Sequence, residues 1–155
     1  MKTKLSADVL KALAGKTLAT AESLTGGGIG NALTAVSGAS EVYKGGIISY
    51  VNEVKRDVLG VPQEILDQYG AVSAWTAGYM ASGVRNLLKA DVAVSVTGLA
   101  GPGGDEFGHP VGTVYIGFDC NRKSLVKQYC FEGSREEVRT QTIRAALELI
   151  LENMK

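Results

Sequence analysis

The segment from Ala90 to Gly98, ADVAVSVTG, constrains the fold of this chain most strongly. It is an almost wholly apolar run of strand length, which is typical of a strand at the centre of a sheet covered on both faces. Helix-like and strand-like segments alternate along the chain, and residues 111–119 and 125–131 predict a hairpin. We therefore predict an α/β fold, a three-layer α/β/α sandwich with a mixed, mainly parallel sheet.

Length and charge narrow the class of protein. The 155 residues predict a single domain over residues 1–155. Sixteen Lys and Arg residues balance sixteen Asp and Glu residues, which argues against a nucleic-acid or polybasic membrane surface. The first sixteen residues carry charges within an apolar pattern, so they predict an amphipathic helix rather than a signal peptide. We expect a cytoplasmic protein with no nucleic-acid or membrane partner.

Cysteine and histidine are scarce. Cys120 and Cys130 are too few for a disulfide framework or a zinc site, and we expect two buried free thiols on neighbouring strands. His109 is the one histidine, so a Ser-His-Asp triad would have to use it or not exist. We expect no metal and no cofactor.

The first segment that could carry chemistry is TAESLTGGGIGNAL, residues 20–33. If Ser23 ends a strand and a helix begins near Gly26, several free backbone N–H groups point at one spot. Such a spot attracts a phosphate or the oxyanion of a tetrahedral intermediate. A capped helix with a tight turn accounts for the same residues equally well.

The second segment is TGLAGPGGDEFGHPVGT, residues 97–113, which follows the most apolar strand. Loops after the carboxyl ends of α/β strands are where such sheets bind ligands. The segment is neither a Walker A loop nor a GxGxxG motif that opens a helix. A disordered surface loop is the alternative, but its two prolines and the central strand before it favour an ordered loop.

The third segment is YVNEVK, in which Tyr50 is predicted to end a strand and Lys55 to lie on the following helix. A solvated surface lysine is the ordinary interpretation. A serine nucleophile needs a base, however, and the Ser-x-x-Lys arrangement would require lysine at position 26, which is glycine. If Ser23 is a nucleophile, we expect its base to be a lysine or a tyrosine from elsewhere in the chain.

Taken together, the motifs AESLTGG, YVNEVK and TGLAGPGG…PVGT resemble the C-terminal domain family of the competence/damage-inducible protein CinA, which includes stand-alone nicotinamide-nucleotide amidases. The resemblance runs from about residue 17 to the last helix and includes GAVS at residues 70–73 and GSREEVR at residues 133–139. Larger members carry another domain before this one, with a metal-dependent pyrophosphatase-type activity that this chain is expected to lack.

The resemblance implies an activity, namely hydrolysis of the carboxamide of nicotinamide mononucleotide to nicotinate mononucleotide and ammonia. Ser23 matches the serine of the family's AES motif and would be the nucleophile. Tyr50 and Lys55 match its Tyr-x-Asn-x-x-Lys motif, and Lys55 would take the serine proton directly or through Tyr50. Two positions depart from the family, which usually has cysteine where Leu24 stands and a small polar residue where Val51 stands.

The expected substrate contacts follow from this assignment. Backbone N–H groups from Thr25 to Gly27 would hold the oxyanion, and the glycine-rich loop or Arg139 would hold the nucleotide phosphate. The predicted substrate-binding residues are Thr25, Gly26, Gly27, Thr97, Gly98, Gly101, Gly103, Gly104 and Arg139.

Two other kinds of function fit parts of the sequence. The same glycine loops could bind a nucleotide without cleaving it, in a non-catalytic or regulatory module. Alternatively, the helix after Ser73, which is rich in small residues, could serve only as an interaction surface. Oligomerisation is compatible with the enzymatic function, and we expect a homo-oligomer, with a dimer favoured.

Overall fold

The computed structural model describes residues 2–154, so Met1 and Lys155 lie outside it. The order of helices and strands agrees with the sequence prediction, and their bounds differ from the predicted ones by a few residues. The helices are α1 (Lys2–Ala12), α2 (Gly28–Thr34), α3 (Asn52–Asp57), α4 (Gln63–Tyr69), α5 (Ala74–Leu88) and α6 (Arg135–Asn153). The strands are β1 (Leu18–Glu22), β2 (Tyr43–Ile48), β3 (Val92–Gly98), β4 (Thr113–Cys120) and β5 (Ser124–Cys130). A short 3-10 helix, Ala39–Glu41, precedes β2.

The five strands form one mixed sheet in the order β2-β1-β3-β4-β5. β1 pairs in parallel with β2 and β3, whereas β4 pairs antiparallel with β3 and β5. Four strands therefore share one direction, and only β4 runs against them. This confirms the predicted α/β sandwich with a mixed sheet, although parallel pairing accounts for only half of the pairings between strands.

The central strand β3 explains why the sheet is covered on both faces. Val92, Val94 and Val96 are buried in a core that α1, α2 and α6 also form. On the other face, Ser95 Oγ donates a hydrogen bond of 2.6 Å to the carbonyl of Ala77 in α5. The small side chains on this face let α5 lie close to the sheet, because burial of larger ones would need more space.

Two helix starts were predicted correctly. The Ser73 side chain accepts a hydrogen bond from Thr76 N–H at the start of α5. Ser134 and Glu137 form the capping box at the start of α6. The capping box fixes where α6 begins, and Arg135 is the first residue of this helix.

Two details of the sequence prediction are wrong. β2 ends at Ile48, so Tyr50 lies beyond the strand in the connection to α3. The predicted pair of buried thiols is also absent, because Cys130 is exposed and Cys120 is partly exposed. They lie at opposite ends of the hairpin, since Cys130 pairs with Thr113 whereas Cys120 lies beside the turn.

The small residues of α5 are divided between its two faces. Ala77 and Ala81 are buried. Gly78 and Ser82 line a shallow surface depression beside the exposed side chains of Trp75 and Tyr79. The expected homo-oligomer stays a prediction.

Candidate active site

Ser23 is held rigidly where β1 ends. Its N–H donates to the carbonyl of Val96 in β3 at 3.1 Å, and its carbonyl accepts from Gly26 N–H at 3.1 Å. The preceding carbonyl, that of Glu22, accepts from Ser49 N–H at 2.8 Å. Backbone contacts to β3 and to the residue just after β2 therefore fix the backbone position of Ser23.

Lys55 lies directly against Ser23. The Lys55 Nζ atom is 3.0 Å from Ser23 Oγ, and it donates to the carbonyls of Ser49 at 2.6 Å and Tyr50 at 3.2 Å. The lysine is 1% exposed, and this burial lowers the pKa of Lys55 from its ordinary 10.5 to about 8. The predicted base and nucleophile are thus in hydrogen-bond contact, although 32 residues separate them in the sequence.

Both residues open into a cleft of about 600 Å³ at the carboxyl ends of β1 and β3. The chain leaves β1 for β2 on one side and later returns to β3 on the other, so the cleft lies at the topological switch point of the sheet. Open α/β sheets bind ligands at such points. The cleft is further lined by residues 70–72 and by every residue from 99 to 107.

The predicted glycine-loop residues lie in this cleft. Its lining includes Thr97, Gly98, Gly101, Gly103 and Gly104. The Thr97 hydroxyl does not face a ligand, because it donates to the carbonyl of Ala71 at 2.7 Å. Gly98 is required for close packing, since a Cβ there would lie 2.6 Å from the carbonyl oxygen of Thr113.

The glycine stretch after Ser23 has a different role from the expected anion site. The second and third N–H groups of α2, those of Ile29 and Gly30, donate to the Glu22 carboxylate at 2.8 Å and 3.0 Å. The Thr25 hydroxyl donates to the same carboxylate at 2.7 Å. Glu22 is 2% exposed, so the anion at the start of α2 is one of the protein's own side chains. Gly26 and Gly27 have positive φ and make the turn that allows this arrangement.

Thr25, Gly26, Gly27 and Arg139 do not line the cleft that contains Ser23. The Gly26 N–H is engaged by the Ser23 carbonyl, so it cannot also hold an oxyanion. Arg139 contacts the backbone just after Ser23, where its Nε donates to the carbonyl of Leu24 at 2.8 Å. In contrast, Leu24 does line the cleft, and the described structure contains no protein acceptor for its N–H.

Tyr50 lines the cleft but does not connect Lys55 with Ser23. Its hydroxyl accepts from Nη2 of Arg135 at 3.0 Å, whereas Lys55 contacts Tyr50 through the backbone carbonyl. Arg135 also lines the cleft and was missed by the sequence prediction, which chose Arg139 one turn later in the same GSREEVR motif. Residues four apart share one helix face, so the sequence could identify the face but not which arginine reaches the cleft.

His109 does not contact either member of the serine–lysine pair. Its ring Nδ1 lies 2.6 Å from one carboxylate oxygen of Asp105, and its backbone N–H donates to the other oxygen at 3.0 Å. Burial raises the pKa of Asp105, but these hydrogen bonds outweigh it and hold that pKa below its usual range. His109 therefore stabilises the loop conformation on one side of the cleft.

The two departures from the family pattern have structural counterparts. The Leu24 side chain is 4% exposed and belongs to the hydrophobic core, so this position contributes packing. Val51 is the residue just before α3, and its side chain makes no capping hydrogen bond. A small polar residue would be able to cap α3 at this position.

Within residues 2–154, no group of three or more His, Cys, Asp and Glu side chains could hold a metal ion. In the same range, no helix is long and apolar enough to cross a membrane.

The fold and the site define a class: α/β sandwich domains with a serine–lysine pair in a cleft at the carboxyl edge of the sheet. The chain belongs to the CinA C-terminal domain family, whose model matches residues 2–154. It is 48% identical over 135 residues to a CinA-like protein of Sulfurihydrogenibium sp., an alignment that covers 87% of this chain and 34% of that protein. The chain thus spans about a third of the length of the curated relatives it matches.

Solved structures agree with this assignment. The competence damage-inducible protein A of Klebsiella pneumoniae superposes with a TM-score of 0.96 at 38% identity, covering 99% of this chain and 96% of that one. A CinA superfamily protein of Enterobacter cloacae superposes with a TM-score of 0.97 at 30% identity, covering 100% of this chain and 93% of that one. These matches confirm the predicted family and fold.

Proposed function

We propose that this chain is an amidohydrolase that converts nicotinamide mononucleotide to nicotinate mononucleotide and ammonia. The observation that carries the proposal is the 3.0 Å contact between Lys55 Nζ and Ser23 Oγ in a cleft. A buried lysine with a lowered pKa next to a serine is a standard way to activate a hydroxyl nucleophile. The choice of this amide as the substrate rests on the resemblance to the nicotinamide-nucleotide amidases.

The geometry around Lys55 supports its role as the base. A neutral lysine has two N–H groups and one lone pair, and the carbonyls of Ser49 and Tyr50 are placed to accept the two N–H groups. The lone pair is then left to accept the proton of the Ser23 hydroxyl. No relay through the Tyr50 hydroxyl is needed, because the direct contact is already of hydrogen-bond length.

The reaction follows in two halves. Ser23 Oγ attacks the carboxamide carbon as Lys55 takes its proton, and the N–H of Leu24 is our assignment for a donor to the oxyanion. Lys55 then returns the proton to the departing nitrogen, which leaves as ammonia. Water, deprotonated by the same lysine, attacks the acyl-enzyme and releases the carboxylate and Ser23.

The test is the release of ammonia from a panel of nicotinamide compounds, with and without a chelator. The proposal expects turnover of nicotinamide mononucleotide by the natural sequence and none by Ser23→Ala. Arg144→Gln, an exposed change on α6 far along the helix from its start, is a matched control that should keep full activity. Nucleotide binding without ammonia release would refute the proposal and favour a non-catalytic binding module.

A further inference from the structure

The mouth of the cleft carries one cation in addition to the catalytic lysine. Among the described residues that line the cleft, the charged side chains are those of Lys55, Asp105, Glu106 and Arg135. Lys55 is buried and bound to Ser23 and two carbonyls, so it is not available to an anionic group of a ligand. Arg135 is exposed, so its guanidinium is the positive charge that can bind an anionic group of a ligand in this cleft.

The Arg135 guanidinium is already fixed in place. Nη1 donates to the carbonyl of Gly101 at 2.7 Å, and Nη2 donates to the hydroxyl of Tyr50 at 3.0 Å. A guanidinium has five N–H donors in one plane, so three remain for a ligand after these two contacts. A planar, fixed set of donors matches the oxygens of a phosphate better than a flexible ammonium does.

We infer that Arg135 selects a phosphorylated substrate by binding its phosphate, and that Tyr50 positions Arg135 instead of relaying a proton. This inference rests on the proposed amidase function and names the residues that recognise the nucleotide end of its substrate. The Tyr50 side chain is 56% exposed, and its hydroxyl contacts Arg135 rather than Lys55 or Ser23. The carboxamide then lies at Ser23 and the phosphate at the start of α6.

A purely structural role for Arg135 makes a different prediction. Its contact with Gly101 also links α6 to the glycine-rich loop, so Arg135→Gln could disturb the whole cleft. Such a disturbance would affect every substrate alike. Loss of a phosphate contact would affect only substrates that carry a phosphate, so the comparison needs a matched pair that differs in this group alone.

The pair is nicotinamide mononucleotide and nicotinamide riboside, which lacks the phosphate. Arg135→Gln should lower kcat/KM for the mononucleotide by about 10- to 100-fold, the range expected for a lost hydrogen bond to a charged group. Its kcat/KM for the riboside should stay within about twofold of the natural sequence. Arg135→Lys should recover part of the loss, and the control Arg144→Gln should change neither value. An equal loss on both substrates would overturn the inference.

Tyr50→Phe separates positioning from proton relay. Removal of the hydroxyl that fixes Arg135 should raise KM for the mononucleotide severalfold and leave kcat and the pH profile unchanged. A relay would instead lower kcat for both substrates. That result would overturn the positioning role of Tyr50.

A binding measurement keeps the inference separate from the proposed reaction. Ser23→Ala should bind nicotinamide mononucleotide more tightly than the riboside by calorimetry, and the added change Arg135→Gln should remove this preference. Inorganic phosphate should compete with the mononucleotide only when Arg135 is present. If the natural sequence releases no ammonia from any nicotinamide compound, the proposed function fails, yet these affinities still decide the role of Arg135. Equal affinities with and without Arg135 would refute it.

Discussion

Replacing Lys55 by arginine tests whether this residue acts as a base or only as a positive charge. Arginine keeps the charge but cannot lose a proton at neutral pH. We expect Lys55→Arg to be nearly as inactive as Lys55→Met, while both variants still bind the nucleotide. If Lys55 only attracted an anionic substrate, arginine would replace it well, and Lys55→Met would impair binding more than turnover.

The magnitude follows from the burial of the lysine. With its pKa lowered from 10.5 to about 8, about 9% of Lys55 is neutral at pH 7, compared with about 0.03% at the ordinary value. Burial therefore increases the reactive form about 300-fold. General-base catalysis contributes about 10²- to 10⁴-fold, so kcat should fall by at least about two orders of magnitude in both variants.

The assay is ammonia release, with kcat and KM measured from pH 6 to pH 10. For the natural sequence, kcat/KM should rise about tenfold per pH unit below pH 8 and level off above it, because the neutral amine is the reactive form. A Lys55→Arg variant that keeps kcat within a few-fold of the natural value would refute the general-base role of Lys55. A flat pH profile would do the same.

The lowered pKa of Lys55 also affects stability. Since the folded pKa lies below the unfolded one, the unfolded state binds more protons between about pH 8 and pH 10.5, and stability rises with pH through this window. Relative to Lys55→Met, the natural sequence should gain about 2.5 kcal/mol in free energy of unfolding between pH 7 and pH 10. Urea denaturation at the two pH values measures this difference, and a constant difference would contradict the lowered pKa.

Four further changes follow from the contacts of the site. Ser23→Ala should abolish ammonia release with little change in the unfolding midpoint, and near-normal turnover would exclude an acyl-enzyme. His109→Ala should keep kcat within about threefold, because His109 contacts Asp105 and not the serine–lysine pair. Glu22→Gln should cost about 3 kcal/mol of stability in urea denaturation, since an amide group cannot accept all the donors around Glu22; a cost below about 1 kcal/mol would count against its structural role. Val51→Ser should raise the unfolding free energy by about 0.5 to 1 kcal/mol by capping α3.

The sequence by itself determined the architecture and predicted Ser23 and Lys55 as the central pair of the candidate site. The apolar run at β3 predicted a sheet covered on both faces, and Ser73 and Ser134 marked the starts of α5 and α6. These features depend on hydrophobic periodicity and on capping within a few residues, so they can be detected in a short window. The presence of a single histidine likewise favours lysine or tyrosine as the base.

Only the tertiary structure decided which residues meet. Ser23 and Lys55 come together because β1 and β2 are neighbours and α3 begins just beyond the end of β2. Tyr50 and Arg135, 85 residues apart, meet because α6 starts at the mouth of the cleft. Contacts of this kind depend on how helices pack against the sheet, which no short window of sequence records.

The structure also decided between alternatives that the sequence left equal. The N–H groups of Ile29 and Gly30 bind the Glu22 carboxylate, so they are not free to bind a second anion. The sequence contains both partners but not the distance between them. The reason is physical: a buried carboxylate must be satisfied by nearby donors, and burial is a property of the packed fold rather than of the residue.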